Sequence, residues 1–148
     1  IMENFQGERL SLAIMAYMTA QMALEEAQAY ARERTAFGKT LTGFQVTRHK
    51  LVDMATQIDV AREYTYRCAA LMQAGKKPIK EVAMAKNFSV DVCEKVTREA
   101  VQLFGGMGYM RETLVERLYR DAKILEVGEG TSEIQRLVIA RSLGLPVG

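Results

Sequence analysis

The chain of 148 residues has no tryptophan, a single histidine, two cysteines and two prolines. Each scarcity removes a class of function. His49 stands alone, with no cysteine or carboxylate pattern around it, so neither a Ser/His/Asp arrangement nor a metal motif can be assembled, and it reads as a surface or satisfied structural residue. Cys68 and Cys93 each fall on the apolar stripe of a predicted helix, which points to buried free thiols in a reducing compartment rather than a disulfide or metal site. No run of about eighteen apolar residues occurs, so no membrane span is expected. Twenty basic against eighteen acidic side chains give a net charge of +2, too little for a broad pull toward nucleic acid or acidic membranes. The amino end shows neither a signal peptide nor an initiator methionine, and a chain that begins at Ile1 is expected to be a piece of something longer.

What remains is a composition of 49% hydrophobic and 26% charged residues, typical of a helical globular domain. At this length one domain buries roughly two-thirds of its unfolded surface and needs no staples. From about Glu8 to Arg34, apolar residues at Leu10, Ile14, Tyr17, Ala20, Leu24, Ala27 and Ala31 recur at steps of three or four and mark one long helix. Gly38 and Gly43 bracket a short polar connection. A second helix carries the unbroken seam Leu51, Met54, Ile58, Ala61, Thr65, Cys68 and Met72, and Gly75-Lys76-Lys77-Pro78 ends it. A third runs from about Ile79 through Val82, Ala85, Phe88, Val92, Val96, Ala100 and Leu103. Shorter helices are expected over Leu114 to Glu126 and Ser132 to Leu143. No repeat, low-complexity tract or alternating strand pattern is present. The fold class is all-α, an antiparallel four-helix-type up-and-down bundle with a short additional C-terminal helix.

Bundles say little about function, so chemistry must come from loops and helix ends. In Ile124-Leu125-Glu126-Val127-Gly128-Glu129-Gly130-Thr131-Ser132-Glu133, two glycines flank a carboxylate. One reading is a hinge, with Gly128 as a left-handed C-cap, Thr131 or Ser132 capping the next helix and Glu133 in its first turns. The other is a carboxylate cleared to face a ligand. Arg34 is either a solvated residue at the negative end of a helix dipole or a phosphate clamp, since a guanidinium pairs two phosphate oxygens at once. Gln102-Leu103-Phe104-Gly105-Gly106-Met107-Gly108-Tyr109 holds more glycine than a cap requires, yet no strand precedes it and it is not a dinucleotide fingerprint. Glu8 fits the first turn of the first helix, where the dipole favours negative charge.

Taken in order, Glu8-Arg9-Leu10, Arg34-x-x-Phe37-Gly38, Phe44-Gln45 with His49-Lys50-Leu51, Gln102-x-x-Gly105-Gly106-x-Gly108-Tyr109, Arg120-Asp121-Ala122-Lys123 and Glu129-Gly130-Thr131-Ser132-Glu133-Ile134-Gln135 resemble the carboxyl-terminal domain of the acyl-CoA dehydrogenases over nearly the whole chain. The resemblance implies that residues 1–148 are the helical-bundle domain of an FAD flavoprotein, whose amino-terminal helical and middle β-domains precede it. Such an enzyme oxidises acyl-CoA to 2,3-enoyl-CoA and passes electrons to an electron-transferring flavoprotein; the isolated bundle would be inactive. Glu129 matches the usual base, and Glu8 matches the alternative position used by a minority of the family. For the cofactor the resemblance implies Arg34, Phe37, Phe44, Gln45, Gln102, Gly105, Gly106, Thr131 and Glu133, and for acyl-CoA it implies Arg9 and Gly130. Two departures stand out: Ala36 where relatives often have threonine, and Glu133 where they often have glutamine, the latter needing a cation to balance it near a phosphate. A homo-oligomer, a dimer of dimers, is implied, with no metal, no nucleic acid and no membrane partner; bacterial cytoplasm and mitochondrial matrix both fit. Other readings are an oligomerisation or binding module without redox chemistry, or a related flavin oxidase or monooxygenase.

Overall fold

The computed structural model describes residues 4–147. Five α-helices account for nearly all of it: α1 (Asn4–Glu33), α2 (Gln45–Gln73), α3 (Ile79–Phe104), α4 (Leu114–Val127) and α5 (Ser132–Ser142). The all-α bundle expected from the periodicity is what forms, with α5 as its short last helix. Helix α3 is the hub, packing against α1, α2, α4 and α5.

The core explains this arrangement. Helix α1 presents Ala13, Ala16, Ala20, Ala23, Ala27 and Ala31, all with no exposed surface, and so little side-chain bulk lets α3 approach closely. Across from them α3 contributes Val82, Val90, Val92, Cys93, Val96 and Ala100. The α2 seam is buried from Leu51 through Cys68. Burial pushes the Cys68 thiol up to about 11 and the Cys93 thiol to about 12, consistent with inert buried thiols. Among the described residues no helix is long and apolar enough to cross a membrane.

Two expected faces are displaced. Ile14 is 38% exposed while its neighbour Ala13 is buried, and Phe88 is 40% exposed while Lys86, Asn87 and Ser89 are buried. The α1 stripe is set by alanines, which carry a weaker hydrophobic signal than isoleucine, and the α3 face is polar where it meets the α4–α5 loop. Nor does Glu8 lie in the first turn: α1 already includes Asn4, so the dipole argument does not place it.

The connection read as polar loop is a small antiparallel hairpin, β1 (Thr35–Ala36) with β2 (Lys39–Thr40), turned by Phe37 and Gly38, both at positive φ. At the far end of α2 the amide of Gly75 bonds the Met72 carbonyl and that of Lys76 bonds the Leu71 carbonyl, with Gly75 at φ 73°. This double closure needs a left-handed residue and explains the stop that glycine and Pro78 announced.

Between α3 and α4 a tight turn, Gly105–Tyr109, folds back on the end of α3. A Cβ added at Gly108 would lie 2.4 Å from the Val101 carbonyl oxygen and 2.9 Å from the Phe104 Cβ, whereas one at Gly105 or Gly106 would meet nothing within 4 Å. Of the three glycines in this run, more than a cap requires, only Gly108 is packed too closely for a side chain. Gly108→Ala is expected to destabilise the fold by about 1–3 kcal/mol through overpacking against backbone, whereas Gly106→Ala should be nearly neutral; urea midpoints of the two variants check this contrast.

Candidate active site

The α4–α5 loop is built around one unusual residue. Helix α4 closes with the Gly128 amide on the Ile124 carbonyl at 2.8 Å, and Gly128 itself is extended at φ −63° and ψ 148°. The left-handed position expected at Gly128 falls instead on Glu129, at φ 52°, followed by Gly130 at φ 92°. A non-glycine residue there costs on the order of 1–2 kcal/mol, so something must hold it. Thr131 then caps α5, its hydroxyl accepting from the Ile134 amide at 3.4 Å, as the hinge reading anticipated.

What holds Glu129 is a set of donors that converge on three successive carbonyls. The ammonium of Lys86, two turns into α3 and with no exposed surface, donates to the carbonyls of Gly128 and Gly130. The Gln135 amide, one turn into α5, donates to the carbonyls of Glu129 and Gly130, each at 3.1 Å. Arg9 Nε on α1 reaches the Glu129 carbonyl at 3.3 Å. Asn87, beside Lys86, ties the Ser132 carbonyl at 3.1 Å. A Cβ on Gly130 would stand 2.9 Å from the Gln135 amide nitrogen, so this glycine has an internal reason to be glycine.

Electrostatics at the loop is a balance of like and unlike charges. Glu8 lies one position from Arg9 on α1, and its carboxyl is held above the usual range by a hydrogen bond with the Glu129 side chain and by that carboxylate's charge. Burial pushes Lys86 down, the Arg9 charge adds to this, and Glu129 and Glu126 pull it back. Glu133 is drawn down first by its own backbone N–H, then by Thr131, and Arg136 pairs with it at 3.6 Å. That arginine supplies the balancing cation which a glutamate at this position needs.

A second locus lies at the other end of α1. A cleft of about 540 Å³ is lined by Tyr30, Arg34, Leu41, Phe104, Gly105 and Gly106, among others. The Tyr30 and Phe104 rings stack at 4.1 Å and form its floor. Arg34 is fixed through its backbone, its N–H on the Tyr30 carbonyl and its own carbonyl accepting from Leu41. The structure thus brings Arg34, Gly105 and Gly106 together, and Glu8, Arg9, Glu129 and Gly130 together, with Thr131 and Glu133 following at the start of α5.

The remaining nominees lie outside the residues lining that cleft. Phe37 sits at the hairpin tip, 97% exposed. Phe44 is half-buried, with the Lys39 ammonium 4.2 Å from its ring centroid. Gln45 is exposed and within 3.4 Å of His49, and Gln102 is exposed near the end of α3. Sequence reasoning missed Lys86 and Gln135. A signal existed for the first: Lys86 falls in helical step with Val82, Cys93, Val96 and Ala100 on the buried stripe, where a lysine requires a partner.

These features define an all-α domain in which Glu8 of α1 faces Glu129 of the α4–α5 loop, with Arg34 beside a glycine-lined cleft at the other end of α1. The family model for the acyl-CoA dehydrogenase C-terminal domain matches residues 1–144, and the chain belongs to that family. It is 48% identical over 140 residues to the probable acyl-CoA dehydrogenase YngJ of Bacillus subtilis, covering 95% of this chain and 37% of that protein. It is also 48% identical over 143 residues to the short-chain specific mitochondrial acyl-CoA dehydrogenase of Homo sapiens, covering 96% of this chain and 34% of that one. A crystal structure of a probable acyl-CoA dehydrogenase from Mycobacterium abscessus superposes with a TM-score of 0.96 at 53% identity, over 97% of this chain and 38% of the other. The chain therefore spans little more than a third of the relatives it matches.

The facing glutamates give a sign for pH dependence. Because the folded state binds the Glu8 proton more tightly than the unfolded chain does, this residue's stabilising contribution is present below its ordinary value of 4.5 and is lost as pH rises through the raised value. Glu8→Gln should remove that fall, so the substituted protein gains stability relative to the unsubstituted one between about pH 4 and pH 7. Urea midpoints at both pH values measure it; a difference independent of pH would rule out the pair.

Proposed function

We propose that this chain is the helical C-terminal domain of a longer FAD-dependent acyl-CoA dehydrogenase, in which Glu129 removes the α-proton of an acyl-CoA thioester. The observation that carries this reading is the left-handed Glu129, its backbone fixed by donors on three helices and its carboxylate beside Glu8. A base must be held where the proton will be, and a backbone pinned on both sides of one residue achieves this.

The residues present fit the cofactor. Arg34 pairs with no carboxylate among the described residues, so its guanidinium would be free to hold the pyrophosphate of the FAD of a neighbouring subunit. Beside it, Gly105 and Gly106 leave open space above the backbone, which lets a bulky nucleotide approach closely. When bound, FAD supplies the acceptor for the β-hydrogen, which leaves as hydride. Phe37, Phe44, Gln45 and Gln102 are assigned to its nucleotide end, and Thr131 and Glu133, with Arg136 neutralising the latter, to its other side.

In the reaction, Glu129 accepts the α-proton, and Arg9, whose Nε donates to the Glu129 carbonyl, lines the acyl-CoA site. Glu8, whose carboxyl the Glu129 charge and hydrogen bond hold above the usual range, keeps its proton more readily beside the base. Gly130 borders the acyl-CoA. We assign the electrons to an electron-transferring flavoprotein, the working assembly to a dimer of dimers, and the compartment to bacterial cytoplasm or mitochondrial matrix.

The test is anaerobic titration of the full-length protein with acyl-CoAs of graded chain length, following flavin absorbance. Bleaching by one chain-length class, lost in Glu129→Gln while flavin stays bound, is expected. Loss in Glu8→Gln with retention in Glu129→Gln would move the base to Glu8. Flavin that no acyl-CoA reduces would leave the bundle as a binding module.

A further inference from the structure

We infer that Lys86 is a positioning residue for Glu129: from a buried position two turns into α3 it clasps the two carbonyls that flank the base and locks the base's backbone in its left-handed state. The inference rests on the reading of Glu129 as base and adds a residue that touches neither cleft nor substrate.

A fully buried ammonium is an expensive choice for a helix core, where a methionine of similar length would pack without charge. Lysine is tolerated only where acceptors replace its hydration. Two are supplied, both from the loop and both next to residue 129, across 42 and 44 positions of sequence. With the carbonyl of Gly128 held by Lys86, the peptide entering Glu129 cannot flip; the peptide leaving it carries the Glu129 carbonyl, held by Gln135 and Arg9, and Lys86 fixes the next carbonyl along, that of Gly130. The φ of 52° at Glu129 is then set from outside rather than by its own preference, and the direction of its Cα–Cβ bond with it. Gln135 reinforces the clamp from α5 at the carbonyls of residues 129 and 130.

An alternative is that Lys86 serves the core alone. In that case its loss would lower stability without a selective effect on proton removal. A displacement of about 1 Å at a base costs on the order of 10²-fold in rate, whereas substrate and flavin affinity depend on other residues.

The experiment uses full-length Lys86→Met, loaded with FAD. Rapid anaerobic mixing with acyl-CoA separates the limiting rate of flavin bleaching from the half-saturating concentration, and hydrogen exchange reports the amides of residues 129–131. The expected result is a limiting rate lower by on the order of 10²-fold, unchanged flavin content and half-saturation, and faster exchange confined to the loop. A wild-type rate and wild-type exchange would overturn the inference, as would a fall in rate matched by equal losses of flavin and of protection throughout α3. Should Lys86→Met not fold, Gln135→Leu breaks the reinforcing bonds and carries the same expectation at smaller size; unchanged rate and exchange would then overturn it. Glu129→Gln measured in parallel separates the two readings: if it still bleaches, the base is elsewhere, and loop exchange alone decides whether Lys86 holds the loop.

Discussion

A charged nitrogen two turns into the most buried helix organises one end of this molecule. Lys86 cannot be left unpaired in a core of valines and alanines, and the acceptors nearest to it are backbone carbonyls of the α4–α5 loop. Satisfying it draws that loop onto α3. Asn87 does the same for the first turn of α5, so two neighbouring polar residues fix where α4 ends and α5 starts. The left-handed glutamate, the glycine after it and the glutamine that would clash with any larger residue there all follow from one buried charge and its partners.

Much of the fold was legible because it depends on apolar periodicity. The α2 seam reads correctly from Leu51 to Cys68, because Leu51, Met54 and Ile58 set an unmistakable step that Ala61, Thr65 and Cys68 continue, while its last member, Met72, is only partly buried. Where the buried face is small or polar, the reading slipped. Ile14 drew attention from Ala13, because side-chain size dominates the pattern while the close approach to α3 selects alanine. Phe88 did the same to Lys86 and Ser89. The helical step places Lys86 on the buried stripe, but no local rule names acceptors that lie more than forty residues away.

The loop shows the same limit at the level of backbone. A glycine after a helix is the expected left-handed residue, and two candidates flank Glu129 in the sequence. The structure gives the extended state to Gly128 and the left-handed states to Glu129 and Gly130, reversing the usual assignment at the first pair. Propensity assigns about a kilocalorie or so per mole against glutamate at positive φ, and five hydrogen bonds from Lys86, Gln135 and Arg9 outweigh it. Tertiary contacts decided here, as they did at Gly108, where the carbonyl of Val101 and not the turn itself excludes a side chain.

The resemblance offers Glu8 and Glu129 as alternative candidates for one role, although they stand at opposite ends of the chain. Folding makes them neighbours. The same turn of α1 that brings Glu8 to the Glu129 carboxyl brings Arg9 to its carbonyl, so α1 acts on both ends of one residue. A proton on Glu8 is bound in the field of Glu129, and a charge change at either residue alters the electrostatics of the other. The surroundings of the two carboxylates differ: Arg9 reaches the Glu129 carbonyl, the buried Lys86 feels the Glu129 charge, and Glu8 faces solvent. The asymmetry favours Glu129 as the fixed member, since its backbone is pinned at three carbonyls while Glu8 rides on an exposed helical turn.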